Sequence, residues 1–247
     1  MELWVVVPFS RSANCKWVED CIARQRYTPA GVVIVENGPA VGSWHSANEI
    51  VLQSEHHQSV AKNVGMQFAK TNGATAVAIF DDDDYYGPGY LEEAKWYLDQ
   101  GYSVLGKSAH FFQLSNGELY YDAGEGECTD ISVAPGGTLV TLLWDGMPNF
   151  FRQHHGEDNA WCVEASKQGH RPHGTSRFNF MRIRHKHGHT YPLSDAQTLH
   201  IGQAYSKISK VDNLNEVDTP DTGKYTELEL VELDPYAYGL FDTFCGK

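Results

Sequence analysis

Short β-branched runs alternating with segments of helical period leave this chain few folds other than a sheet with helices on its faces. Residues 3–9 (LWVVVPF) and 31–38 (GVVIVENG) read as strands, and residues 14–26 between them place Trp17, Val18, Cys21 and Ile22 on one apolar stripe. A second helix is expected over 57–71, a third strand over 74–80, and a third helix over 87–100 with Pro88 at its start. That order predicts a mostly parallel sheet. Two aromatic-rich runs within 108–124, joined through Asn116-Gly117, predict a hairpin and therefore a mixed sheet. A strand follows in 135–144, and a helix over 156–169 carries Glu157 and Asp158 in its first turn.

The run at 79–84 (IFDDDD) sets four aspartates at the end of a strand that should be buried. Two carboxylates ~4 Å apart repel by roughly 4 kcal/mol at an effective dielectric of about 20, so the cluster asks for a cationic partner. If the tetrad stays extended, Asp81 and Asp83 share one side and Asp82 and Asp84 the other, and either pair suits a hard divalent cation. A solvated acidic turn ahead of Pro88 is the plainer alternative. In open α/β sheets ligands sit at the carboxyl ends of parallel strands, and three such ends are polar here: Ser10-Arg11, Glu36-Asn37 and the tetrad.

Composition narrows the partners. A net charge of −13 disfavours nucleic acid or an anionic membrane as the main partner, although Arg171, Arg177, Arg182, Arg184 and Lys186 could form a local basic patch for a nucleic-acid acceptor. Five scattered cysteines with no CxxC pair predict neither a disulfide framework nor a zinc knuckle, and point to a reducing, cytoplasmic home. No run approaches the ~20 apolar residues of a membrane span, and the opening MELWVVVPFSRS lacks the regions of a signal peptide. Residues 1–205 are expected to form one domain, with 206–247 an acidic extension.

The series VVVPFSR, VVIVENG, AKNVGMQFAK, FDDDDYYGPGYL, PGGTL and GEDNAW, in that order, resembles the family 2 glycosyltransferases of the GT-A fold. The segment SRFNFMRIRHKHGHTY adds a C-terminal likeness, and the match spans about residues 3–195. The resemblance implies a single Rossmann-like α/β domain that transfers a sugar, with inversion, from a nucleotide-diphosphate donor, UDP-linked, to a saccharide or other hydroxyl acceptor. It implies that Pro8, Phe9, Ser10 and Arg11 form the nucleotide loop, that Glu36 stands where the base is read, and that Lys62 and Asn63 line the nucleotide pocket. Asp83 would ligate Mn2+ or Mg2+, Asp81 would touch the metal or the ribose, and Asp82 or Asp84 could substitute, because two DxD registers overlap. His189 would be a third metal ligand or a diphosphate contact, while Arg182 and Arg184 could neutralise phosphates. Asp158 would be the general base, with Glu157 either orienting the acceptor or replacing Asp158 as the base.

Three rivals remain. A nucleotidyltransferase uses similar aspartates, but PFSRSANCK is not the Gly-rich phosphate loop it needs. An inactive binding protein of the same fold has no use for Asp81, Asp83 and Asp158 together, and a His-rich metal-binding protein would hold metal without nucleotide. Tyr85, Tyr86, Trp144, Phe150 and Phe151 are candidates to stack on a sugar, although most aromatic residues in such a chain are core.

Overall fold

The structure, a computed structural model, describes residues 1–45, 49–55, 57–152, 156–184, 194–205 and 208–211. Strand β1 (Leu3–Phe9) leads through helix α1 (Cys15–Ala23) to β2 (Gly31–Asn37), β3 (Ile50–Ser54), helix α2 (Gln58–Thr71) and β4 (Ala76–Ile79). After β5 (Tyr85–Tyr86) come helix α3 (Tyr90–Asp99), β6 (Val104–Gly106), β7 (His110–Gln113), β8 (Leu119–Asp122) and β9 (Val140–Leu142). Helix α4 (Glu157–Lys167), β10 (Pro172–Gly174), β11 (Phe180–Ile183), α5 (Asp195–Tyr205) and β12 (Ile208–Val211) complete the described elements.

A seven-stranded sheet has the order β10-β6-β9-β4-β1-β2-β3, and β9 alone among them runs antiparallel to its neighbours. The mostly parallel, helix-flanked α/β sheet is therefore as the sequence implies. Alternation along β1 explains the two core layers. Leu3, Val5, Val7 and Phe9 pack with Trp17, Val18 and Cys21 of α1 and with Tyr90, Leu91 and Ala94 of α3, while Trp4 and Val6 face Ala61, Met66 and Ala69 of α2 and Trp161 and Cys162 of α4. Among the described residues no helix is long and apolar enough to cross a membrane.

The Asn116-Gly117 hairpin forms, with Gly117 at φ +87°, but it belongs to a second sheet of five strands, β12-β8-β7-β11-β5, which local patterning does not announce. Its last strand, β12, pairs antiparallel with β8, so residues 208–211 belong to that sheet. Several expected bounds shift, and the strand expected in 135–144 shortens to Val140–Leu142. The first helix ends at Ala23, and the third begins at Tyr90, because the Pro88 carbonyl is taken by the Arg26 amide at 2.9 Å before the helix starts.

One glycine sets how closely α2 approaches the sheet. A Cβ on Gly65 would stand 2.3 Å from Cγ1 of the buried Val6 and 3.1 Å from Cγ2 of Val35. Gly65→Ala gains ~1 kcal/mol of helix propensity and loses ~1–3 kcal/mol by overpacking. We expect a net loss of up to about 2 kcal/mol, read as a lower urea midpoint at unchanged slope. A midpoint at or above wild type would mean that the sheet yields.

Candidate active site

The carboxyl ends of β1 and β4 are neighbours, which brings the Ser10-Arg11 loop against the aspartate tetrad. Because β9 runs the other way, the turn that leads into it, residues 135–137, lies at the same edge; its register pairs Ala78 with Val140, and the Ile79 amide donates to the Leu139 carbonyl at 2.9 Å. The first turn of α4 and the N-terminal half of α2 close the site from the helical layer.

The tetrad is not extended, which corrects the expected pairing of its side chains. It turns at Asp82 and Asp83, so the aspartates pair as 81 with 84 and 82 with 83. Asp82 accepts from the Ser10 amide (2.7 Å), the Arg11 amide (2.9 Å), the Ser10 hydroxyl (3.2 Å) and the Arg11 guanidinium. The same guanidinium reaches Asp83 Oδ2 at 3.1 Å. Asp81 and Asp84 instead converge on Gly137, where an added Cβ would lie 3.0 and 2.7 Å from their Oδ2 atoms. Asp84 also accepts from the Ile183 amide at 3.0 Å, and Asp81 from the Gln58 side chain at 2.9 Å. The turn is held by side chains from elsewhere: Asn14 donates to the Asp82 carbonyl and Trp17 to the Asp84 carbonyl, each at 2.9 Å. Tyr86, stacked 3.8 Å from Phe80, accepts from the Asp81 amide and donates to the Gly137 carbonyl.

Asp158 sits across the same turn. A Cβ on Gly136 would meet its Oδ2 at 2.5 Å, so only glycine leaves that oxygen its place. Its Oδ1 accepts from Lys62 Nζ at 2.6 Å, and the same ammonium lies 3.2 Å from Glu157 Oε1 and 5.1 Å from the centre of the Phe150 ring. Lys62, expected as a point charge beside the nucleotide, is a fully buried counter-ion to the carboxylates of Glu157 and Asp158.

The other expected positions divide. Ser10, Arg11, Asp81, Asp82, Asp83, Glu157 and Asp158 gather at this edge. Glu36 is buried, with both carboxylate oxygens on the amides of Gly42, Ser43 and Trp44 at 2.6–2.9 Å, so it organises the loop after β2. Asn63 exchanges two hydrogen bonds with the Phe150 backbone, at 2.8 and 2.9 Å. Phe9 is a core ring edge-on to Trp44, Pro8 is buried in β1, and Tyr85 and Tyr86 are core as well. Trp144 packs on His170 and Trp161 behind α4, while Phe151 stands half exposed. His185, His187 and His189 lie outside the described residues. Sequence reading offered Tyr86 only as a ring to stack on a sugar and missed Gln58 and the Gly136-Gly137 pair as site-builders; PGG is the signal that offered itself, since two adjacent glycines mark a close approach.

Charge is concentrated here. Burial, reinforced by Asp158, Asp83 and Asp82 and opposed by Lys62, pushes the Asp81 carboxyl up to about 7, and burial with the Asp83 charge pushes Asp84 well up. Burial pulls the Lys62 ammonium down, but Asp158, Asp81 and Glu157 outweigh it and hold it above its ordinary value. Hard carboxylate oxygens carrying more negative charge than the local cations offset suit a divalent cation in donor chemistry. Among the described residues no three His, Cys, Asp or Glu side chains are by themselves arranged to hold one. An acid raised on folding contributes stability that is fully present below its ordinary 3.8 and is lost as pH rises through about 7. In chelator, the wild-type melting temperature should therefore fall between about pH 4 and about pH 7 more steeply than that of Asp81→Asn. Parallel slopes would show that Asp81 titrates normally.

No protein-family model matches this sequence, and no curated protein matches it. Its fold does match solved structures. S. aureus TarS 1-349 in complex with UDP-GlcNAc aligns at TM-score 0.56 and 16% identity over 77% of this chain and 60% of that one. A second S. aureus TarS structure aligns at 0.55 and 16% over 74% of this chain and 37% of that one. The mannosyltransferase PcManGT from Pyrobaculum calidifontis, in complex with GDP-Man and Mn2+, aligns at 0.53 and 14% over 82% and 61%. The chain thus spans less than two thirds of each of these neighbours, and its fold is that of GT-A-like glycosyltransferases.

Proposed function

We propose that the chain is a metal-dependent, inverting glycosyltransferase that moves a sugar from a nucleotide-diphosphate donor, UDP-linked, to a saccharide or other hydroxyl acceptor. One observation carries the reading: Gly136 lies against Asp158 while Gly137 lies against Asp81 and Asp84, so the candidate base and two of the four aspartates face one turn at the carboxyl edge of the sheet. The nucleotide-sugar complexes of the neighbouring folds, one of them with Mn2+, support the donor class and the ion.

Asp82 and Asp84 accept hydrogen bonds from backbone amides, whereas Asp81 accepts one from the Gln58 side chain and Asp83 forms an ion pair with Arg11. We therefore assign Mn2+ or Mg2+ to Asp81 and Asp83. When bound, the ion supplies positive charge beside the leaving diphosphate. Ser10 and Arg11 contact the nucleotide, and Glu36 and Asn63 shape its pocket through the loop after β2 and the Phe150 backbone. Asp158 takes the acceptor hydroxyl proton as the oxygen attacks the anomeric carbon from the face opposite the diphosphate. The bond from that carbon to the diphosphate oxygen breaks, and the configuration inverts. Glu157, beside it in the first turn of α4, orients the acceptor.

The test is a thermal-shift series with UDP, GDP, dTDP and CMP, each with and without Mn2+. A nucleotide at 100 times its Kd stabilises the folded state by about 2.7 kcal/mol, and we expect that rise for UDP only with Mn2+. No rise with any nucleotide in either condition rejects the reading.

A further inference from the structure

We propose that Lys62 is the positioning residue of the transfer base, and that Asp158 Oδ2 is the atom that receives the proton; the inference rests on the glycosyltransferase reading above. Lys62 is 1% exposed, and its ammonium holds Asp158 Oδ1 at 2.6 Å and Glu157 Oε1 at 3.2 Å. Such a cation cannot swing out to a phosphate without stripping two acids of their partner.

Its placement is rigid on both sides. The neighbouring Asn63 is bonded to the Phe150 amide and carbonyl, which ties α2 to the chain segment that leads into α4, and the Phe150 ring closes over the Lys62 ammonium at 5.1 Å. With Oδ1 engaged by Lys62, Asp158 turns Oδ2 toward Gly136, where no side chain intervenes. The Arg182 guanidinium donates to the Gly136 carbonyl at 3.0 Å and so fixes that turn. An acceptor hydroxyl approaching beside Gly136 then meets Oδ2; its proton moves there, its oxygen forms the glycosidic bond, and the nucleoside diphosphate leaves with the electron pair of the broken bond. Lys62 keeps its proton throughout.

Three variants test this, each assayed for Mn2+-dependent UDP binding and for kcat. We expect Lys62→Met to bind UDP within threefold of wild type and to lose about 100-fold or more in kcat, because the base has lost the cation that positions it. Lys62→Arg should regain part of the rate. Lys62→Met combined with Asp158→Asn removes the charge and its main partner together, which guards against a folding failure of the single variant. Its kcat should equal that of Asp158→Asn alone, since Lys62 acts through Asp158. A tenfold or greater loss of UDP affinity at near wild-type kcat, or a further loss of rate in the double variant, overturns the inference and returns Lys62 to the nucleotide. A wild type that binds no nucleotide overturns the glycosyltransferase reading itself, and this inference with it.

Discussion

Asp158→Asn should leave Mn2+-dependent UDP binding within about threefold of wild type and lower the transfer rate by about 10²–10⁴, the usual worth of a general base. The amide keeps the shape of the carboxylate between Lys62 and Gly136 but has no affinity for a proton. Removing one partner of a buried ion pair typically costs about 3–5 kcal/mol. Here the loss should be smaller, because Lys62 keeps Glu157 at 3.2 Å. Calorimetric titration with UDP and Mn2+, run beside an assay of UDP release, separates binding from chemistry. A variant that transfers sugar at the wild-type rate would remove Asp158 from the mechanism.

Asp83→Asn should have the opposite signature. We expect Mn2+-dependent UDP affinity to fall by about 100-fold, or about 2.7 kcal/mol, with little change in the melting temperature of the ligand-free protein. The contrast is Asp82→Asn, because Asp82 accepts from two backbone amides, a hydroxyl and a guanidinium. An amide there leaves part of that donor set unmatched, so the free protein should melt several degrees lower. Melting curves with and without UDP and Mn2+ therefore sort the aspartates into structural and ligand-binding ones. If Asp83→Asn binds as wild type while Asp81→Asn and Asp84→Asn do not, the metal belongs to the pair that meets at Gly137.

The gathering of chemistry at one edge was legible because each ingredient is local. A strand that ends just before Asp81, a helix that begins at Glu157 and a Pro-Gly-Gly turn all show in short windows, and parallel strands send their carboxyl ends one way. The direction of each side chain was not legible. The alternation argument assumed that 81–84 continue β4, yet the backbone turns there, since Asn14 and Trp17 from the first helical segment capture the carbonyls of Asp82 and Asp84. Glu36 shows the same limit. Its place after β2 is readable, but its three backbone donors come from a loop whose path the residue pattern does not encode.

What the sequence determined by itself is the layering. Continuous apolar runs in β1, β2 and β4, which end up buried on both faces, and the apolar stripe of α1 settle which residues enter the core, because hydrophobic burial depends on spacing within one element. What the tertiary structure decided is the partnership of charges and the second sheet. Lys62 and Asp158 stand 96 residues apart, Asp84 and Ile183 stand 99 apart, and β5 joins β11 across a similar gap. Coulomb energies and hydrogen bonds depend on distances of a few ångströms, and only the closed fold fixes those distances between remote residues.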